Sequence, residues 1–248
     1  MEYGLVSVSF RPLLPEAVVQ AAKNAGLTCI EWGSDVHAPY DDSQKLQRIV
    51  SLQKTYGISC CSYGTYFRLG VTPLEELPGY IAAAKTLGTE ILRLWCGDRA
   101  PEKYTPEERQ ELFAQCRQAA ALAEAEGVTL CMECHMTTYT ETKEGALELM
   151  QGVDSRAFRM YWQPNQFRTV EENLAYVKLL KPFIHHIHVF QWKGRERFPL
   201  ATGVQEWQQY LQILAPQHGL LLEFMPKDDV SELPGEAETL FTLTGGSL

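Results

Sequence analysis

Residues 105–133 read TPEERQELFAQCRQAAALAEAEGVTLCME, and this stretch decides the fold. Thr105-Pro106-Glu107-Glu108 opens a helix, with threonine at the N-cap, proline at the first helical position and acid in the first turn. Over Glu107–Glu126, Leu112, Cys116, Ala119 and Ala123 recur at intervals of three or four, which puts them on one face of a helix. Gly127 stops that helix, and Val128–Glu133 follows as a short apolar run of the length expected of a buried parallel strand. The run ends on a carboxylate.

Working outward, the same unit repeats. Similar runs lie at Tyr3–Phe10, Leu27–Trp32, Ile58–Tyr63, Glu90–Trp95, Phe158–Trp162, Ile184–Phe190 and Leu220–Phe224, with amphipathic stretches between them. Gly26, Gly57, Gly88 and Gly219 stand, like Gly127, where a helix would stop before the next strand. Strand and helix therefore alternate eight times at a spacing of roughly thirty residues, which predicts parallel βαβ units. No Gly-rich phosphate loop follows the first run, where the sequence is Phe10-Arg11-Pro12-Leu13, so a doubly wound nucleotide-binding sheet is disfavoured. The expected fold is an α/β (β/α)8 barrel, one domain over residues 1–248, close to the ~250 residues typical of that architecture.

Composition narrows the function classes. The chain is 45% hydrophobic and 21% charged, which is globular composition. No apolar run approaches the ~20 residues needed to cross a bilayer, and Met1-Glu2-Tyr3-Gly4 has neither the basic region nor the apolar core of a secretory signal. Seven cysteines, an odd number, with Cys60 and Cys61 adjacent and so awkward to bridge, suit a reduced, cytoplasmic protein. A net charge of −9 argues against nucleic acid as a partner, because phosphate-backbone affinity needs a basic face.

In a barrel of this kind chemistry sits where strands end. The fifth run closes on Glu133-Cys134-His135, the sixth on Gln163-Pro164-Asn165-Gln166, the seventh contains His185-His186-Ile187-His188, and the eighth ends Leu222-Glu223-Phe224. Two carboxylates at the ends of apolar strands need pairing or a cation. With an imidazole between them they form a plausible divalent-metal cage; Arg93 or Arg68 could instead tie them into ion pairs. Alternation along the seventh run puts His186 and His188 on one face and His185 on the other. Trp32, Trp95, Trp162 and Trp192 lie at or just beyond strand ends, a distribution that suits a sugar pocket or packing under the rim. Glu31, His37 and His135 are candidate contacts to ligands or substrate. Trp192-Lys193-Gly194-Arg195-Glu196-Arg197 puts three basic side chains near the mouth, either for a substrate anion or as a solvated turn. Cys134 has no local nucleophile arrangement and reads as packing.

Six phrases, in strand order, carry a family resemblance. They are Cys29-Ile30-Glu31-Trp32 with Asp35-Val36-His37, Ser62-Tyr63-Gly64-Thr65-Tyr66, Arg93-Leu94-Trp95, Met132-Glu133-Cys134-His135, His188-Val189-Phe190-Gln191-Trp192 and Leu222-Glu223-Phe224. Together they resemble the sugar isomerase/epimerase superfamily, the xylose-isomerase-like TIM barrel group that also includes endonuclease-IV-type enzymes. The resemblance implies a divalent ion (Mn, Mg, Co or Zn) held by Glu133, Gln163, His188 and Glu223, with Asn165 as a fallback ligand. It implies Glu133 and Glu223 as the proton-transfer pair next to a carbonyl. Trp32, His37, Arg93, Trp95, His135 and Trp192 are then the expected substrate contacts. Two positions depart from the family pattern: Gln163 replaces an aspartate, lowering the charge of the cage, and Gln166 replaces a histidine of the endonuclease-like relatives. The expected activity is metal-dependent isomerisation or epimerisation of a small sugar, sugar phosphate or keto-polyol, with keto-cyclitol dehydration as a close variant. The alternatives are a metal-free sugar-binding barrel and an endonuclease-IV-like phosphodiesterase. A homodimer is expected from the resemblance alone.

Overall fold

The computed structural model describes residues 2–214 and 219–245. Eight strands close into a parallel barrel: β1 (Tyr3–Val6), β2 (Cys29–Gly33), β3 (Ser59–Leu69), β4 (Ile91–Cys96), β5 (Thr129–Glu133), β6 (Phe158–Trp162), β7 (Ile184–Val189) and β10 (Gly219–Leu222). Closure is made by β1 against β10, in the register Tyr3 opposite Leu220. Helices α1 (Pro15–Asn24), α2 (Ser43–Tyr56), α3 (Leu77–Leu87), α4 (Pro106–Ala125), α5 (Lys143–Val153), α6 (Val170–Leu180), α7 (Val204–Ile213) and α8 (Leu233–Thr244) alternate with the strands. The expected (β/α)8 architecture is therefore what the chain forms.

The deciding stretch folds as read. Thr105 Oγ1 accepts from Glu108 N (3.2 Å) and Glu108 Oε2 accepts from Thr105 N (2.9 Å), a complete capping box at the start of α4. Leu112, Cys116, Ala119 and Ala123 are all buried against the barrel. Gly57 and Gly88 end α2 and α3 in the left-handed conformation, which a Cβ would disfavour. Gly219 differs, because it lies inside β10 and a Cβ there would come within 2.7 Å of His186 Nδ1. Its role is close approach, not helix termination.

Strand ends also differ from the hydropathy runs. β1 stops at Val6, and Ser7–Phe10 turns into a 3-10 helix, because Ser7 Oγ takes the Gly33 N–H (2.9 Å). The loop after β7 is a small antiparallel hairpin, β8 (Gln191–Lys193) with β9 (Glu196–Phe198). Its base is engaged: Arg197 pairs with Asp228 and packs against the Trp192 and Phe224 rings, and Lys193 Nζ is 3.7 Å from Glu206.

Most apolar burial lies between barrel and helices, while a smaller cluster of Val6, Val8, Cys29, Cys61, Cys131, Tyr161 and Leu221 fills the barrel interior. All seven cysteines are free. Among the described residues no helix is long and apolar enough to cross a membrane.

One buried acid outside the barrel gives a stability prediction. Glu236 of α8 is 6% exposed and accepts the Leu200 N–H. Burial, with Glu232 adding to it, outweighs that hydrogen bond and raises its carboxyl to about 7. A carboxyl raised in the folded state stabilises most below its unfolded pKa, and that contribution fades as pH climbs through about 7. Glu236→Gln keeps an acceptor without the charge. Its melting temperature relative to the parent should rise by about 2–4 °C between pH 5 and pH 8, the shift ~1 kcal/mol produces in a chain of this size. A constant difference across that range would assign Glu236 an ordinary pKa.

Candidate active site

The alternation of strand residues decides what faces the barrel axis. Glu31, Arg93, Glu133 and His188 all point inward from β2, β4, β5 and β7, while Glu223 immediately follows β10. All five are at most 5% exposed. A register slip between Ile30 and Glu31 skips Cys61 and sets Glu31 opposite Ser62, whose Oγ donates to Glu31 Oε2 at 2.9 Å.

His188 is the centre. Around its Nδ1 lie Gln163 Oε1 at 3.1 Å, Glu223 Oε2 at 3.5 Å and Glu133 Oε1 at 3.8 Å. The Gln163 amide is oriented by its own nitrogen, which donates to Cys134 O (3.4 Å), so the oxygen faces the imidazole. Glu133 Oε2 is held from the other side by Trp95 Nε1 (2.7 Å) and Arg93 Nη1 (3.0 Å). Arg93 Nε in turn lies 3.3 Å from Glu31 Oε1. The arginine ion pair that the sequence allowed forms at Glu133, whose other oxygen lies toward His188, while Glu223 has no arginine pair among the described residues.

These side chains are of donor types that divalent ions take. Two ligands each ~2.1 Å from one metal lie roughly 3.0–3.4 Å apart at octahedral or tetrahedral angles; Gln163 at 3.1 Å and Glu223 at 3.5 Å from His188 Nδ1 are near that separation, and Glu133 at 3.8 Å is wider. Among the described residues no group of three or more His, Cys, Asp or Glu side chains is arranged to hold a metal ion, and of the oxygens about His188 Nδ1 that of Gln163 lies nearest. The set is one imidazole nitrogen and three oxygens, suitable for Mn²⁺, Mg²⁺, Co²⁺ or Zn²⁺.

Electrostatics separate the two carboxylates. Burial pushes Glu133 up, but Arg93, His188 and His135 outweigh it and hold it ionised. Glu223 is raised to about 7 by burial and by neighbouring Glu133, against the pull of His188 and Arg93. Burial disfavours the His188 imidazolium, yet Glu223, Glu31 and Glu133 together raise it to about 9. A proton on His188 places a positive charge among the three buried carboxylates.

Above this cluster opens a cleft of about 210 Å3, walled by Tyr66, Trp95, Phe190, Trp192 and Phe224, with His135, Asn165 and Gln166 on its polar side. Among the expected substrate contacts, Arg93, Trp95, His135 and Trp192 line it. Trp32 and His37 do not reach it, which corrects the expectation for both. Trp32 alternates with inward-facing Glu31, so it points to the helices and donates from Nε1 to Gln53 Oε1 (2.9 Å). His37 is buried between Ser7 Oγ (3.1 Å) and Leu13 O (3.0 Å) and pins the first loop. Trp162 is likewise outward, against Trp207 and Tyr210. Asn165 Oδ1 accepts from Phe167 N (2.9 Å) and is turned into its own loop. Cys134 bonds Gln163 O (3.3 Å), and burial raises its thiol to about 12, as packing requires. Tyr66, Phe190 and Phe224 escaped sequence reasoning; strand alternation offers no signal for Phe224, whose backbone is left-handed (φ 53°).

Comparison with known proteins gives the family of the fold. The chain is 23% identical over 203 residues to a 3-dehydroshikimate dehydratase of Bacillus anthracis, spanning 76% of this chain and 71% of that one. The crystal structure of the probable 3-DHS dehydratase AsbF, involved in petrobactin synthesis in Bacillus anthracis, superposes with a TM-score of 0.83 at 20% identity, covering 97% of this chain and 98% of that one. D-psicose 3-epimerase of Clostridium cellulolyticum H10, solved with D-tagatose, gives 0.74 at 13% identity with 99% of each chain covered. The model of the xylose isomerase-like TIM barrel matches residues 19–232. With that match running over most of its length, the chain belongs to the xylose isomerase-like TIM barrel family.

Proposed function

We propose that this chain is an enzyme that removes a proton from the carbon next to a carbonyl in a small hydroxylated ketone, with a divalent cation held by Glu133, Gln163, His188 and Glu223. The observation that carries this reading is the convergence of three side-chain oxygens on His188 Nδ1 within 3.1–3.8 Å at the floor of an aromatic cleft. A cation bound there would polarise the substrate carbonyl and neighbouring hydroxyl.

Glu223 is the proton carrier: it is buried, faces the cleft, and lies outside the Arg93 ion pairs. Glu133, fixed by Arg93 and Trp95, stays anionic and serves as a ligand. With one free carboxylate, loss of a β-hydroxyl is the favoured outcome. Glu223 takes the α-proton, the C–H electron pair becomes the new double bond, and the hydroxide leaves with that proton as water. The similarity to a dehydroshikimate dehydratase supports this outcome. Return of the proton to the opposite face, as in the structurally similar epimerase, is the second reading; it needs an acid on each side of the substrate.

Two tests follow. Manganese-loaded protein should convert 3-dehydroshikimate, or another cyclic keto-polyol, to a conjugated product followed by ultraviolet absorbance. With D-psicose or D-fructose in deuterated water, isotope uptake with no loss of hydroxyl would favour epimerisation instead. Neither change with any of these ketones would contradict the proposal. Gln163→Asp restores a charged ligand and should tighten Mn²⁺ binding about tenfold or more. Unchanged affinity in calorimetry would take Gln163 out of the ligand set.

A further inference from the structure

Glu31 has no part in the chemistry just described, yet it is a fully buried carboxylate beneath the cleft. A charge in that position needs partners, and it has three: Ser62 Oγ at 2.9 Å, Arg93 Nε at 3.3 Å and His188 Nε2 at 3.4 Å. The third contact is informative from the side of the histidine. His188 Nε2 is buried and has no well-aligned hydrogen bond among the described residues; Glu31 Oε1 is its ionic neighbour. The space for this contact is reserved by Gly64 on the adjacent strand. A Cβ at Gly64 would come within 2.6 Å of Glu31 Oε1 and 3.0 Å of Arg93 Nη2.

An imidazole ligates through one nitrogen, and the group facing the other nitrogen decides which one is free to do so. We propose that Glu31 is a positioning residue: its carboxylate, facing Nε2 of His188, favours the proton on that nitrogen and so leaves Nδ1 as the one to ligate a cation on the side where the oxygens of Gln163, Glu133 and Glu223 lie. Through Arg93, which bonds both Glu31 and Glu133, the same carboxylate also fixes the second ligand. One buried acid on β2 thereby orients two ligands contributed by β5 and β7. This rests on the reading that a divalent cation occupies the Nδ1 side of the cluster.

The test uses Zn²⁺ alone, titrated by calorimetry into the full chain and into Glu31→Gln and Ser62→Ala. Proton–nitrogen correlation spectra of the histidine rings in the zinc-loaded protein are read alongside, with His188 assigned through His188→Gln. Glu31→Gln should weaken zinc affinity by about 10–100-fold, the usual effect of losing a partner behind a ligand. Ser62→Ala, which only loosens Glu31, should weaken it less. In the parent His188 should carry its proton on Nε2, and that resonance should move upfield in Glu31→Gln. Unchanged zinc affinity in both variants, or a proton on Nδ1 in the zinc-loaded parent, would overturn the positioning role while leaving the cation site standing. A parent that binds no zinc would overturn both. Should Glu31→Gln fail to fold, Ser62→Ala carries the test by itself.

Discussion

Glu223→Gln is expected to slow proton abstraction next to the substrate carbonyl by about 10²–10⁴-fold, the contribution of one well-placed proton carrier. The size of the effect follows from the division of labour between the two carboxylates. Glu133 accepts from Trp95 and Arg93 on Oε2, so its charge is already committed. Glu223 has His188 as its ionic partner among the described residues, and burial together with neighbouring Glu133 raises its carboxyl, the direction that suits a group which takes up a proton. The substitution preserves shape and removes a buried charge, so the melting temperature should not fall. Deuterium uptake by the ketone, followed by mass spectrometry, separates the two effects. Uptake at the parental rate would assign the proton to another group.

Arg93→Met should be the most destabilising single change in the barrel interior. Arg93 is 2% exposed and bridges Glu31 and Glu133, both buried. Removing it leaves His188 as the one cation beside two buried carboxylates among the described residues, a loss of about 3–5 kcal/mol. At about 2–4 °C per kcal/mol for a chain of this length, the melting temperature should fall by roughly 6–20 °C. The deficit depends on pH with a definite sign. Without the guanidinium, the folded-state pKa values of Glu31 and Glu133 rise, so the variant regains stability as pH falls and those carboxyls take up protons. The gap between parent and variant should therefore be wider at pH 8 than at pH 5. A difference below ~1 kcal/mol at pH 8 would mean that Arg93 is not their counter-charge.

The barrel was legible because eight apolar runs, helix-stop glycines and the Thr105 capping box all agreed. Strand ends were less so, since side chains such as Ser7 and bulges such as that at Glu31 override hydropathy locally. For the site, Glu133, Gln163, His188 and Glu223 could be aligned because each lies near or just past the C-terminal end of a strand, and position along a strand is readable. Which side of the barrel wall a residue faces is also readable when alternation is applied strictly. Glu31 pointing inward obliges Trp32 to point outward, and Tyr161 does the same for Trp162. The ring of four tryptophans reduces to Trp95 and Trp192 on that ground. Pairing across strands was not readable. That Arg93 would span Glu31 and Glu133 depends on register between β2, β4 and β5, which no single run of sequence encodes.

The most direct measurement is anomalous diffraction from crystals grown with Mn²⁺. One manganese peak is predicted, within ~2.0–2.3 Å of His188 Nδ1 and of oxygens from Glu133, Gln163 and Glu223. No peak at that point, with Glu133 still joined to Arg93 and Gln163 still bonded to the imidazole, would contradict the account.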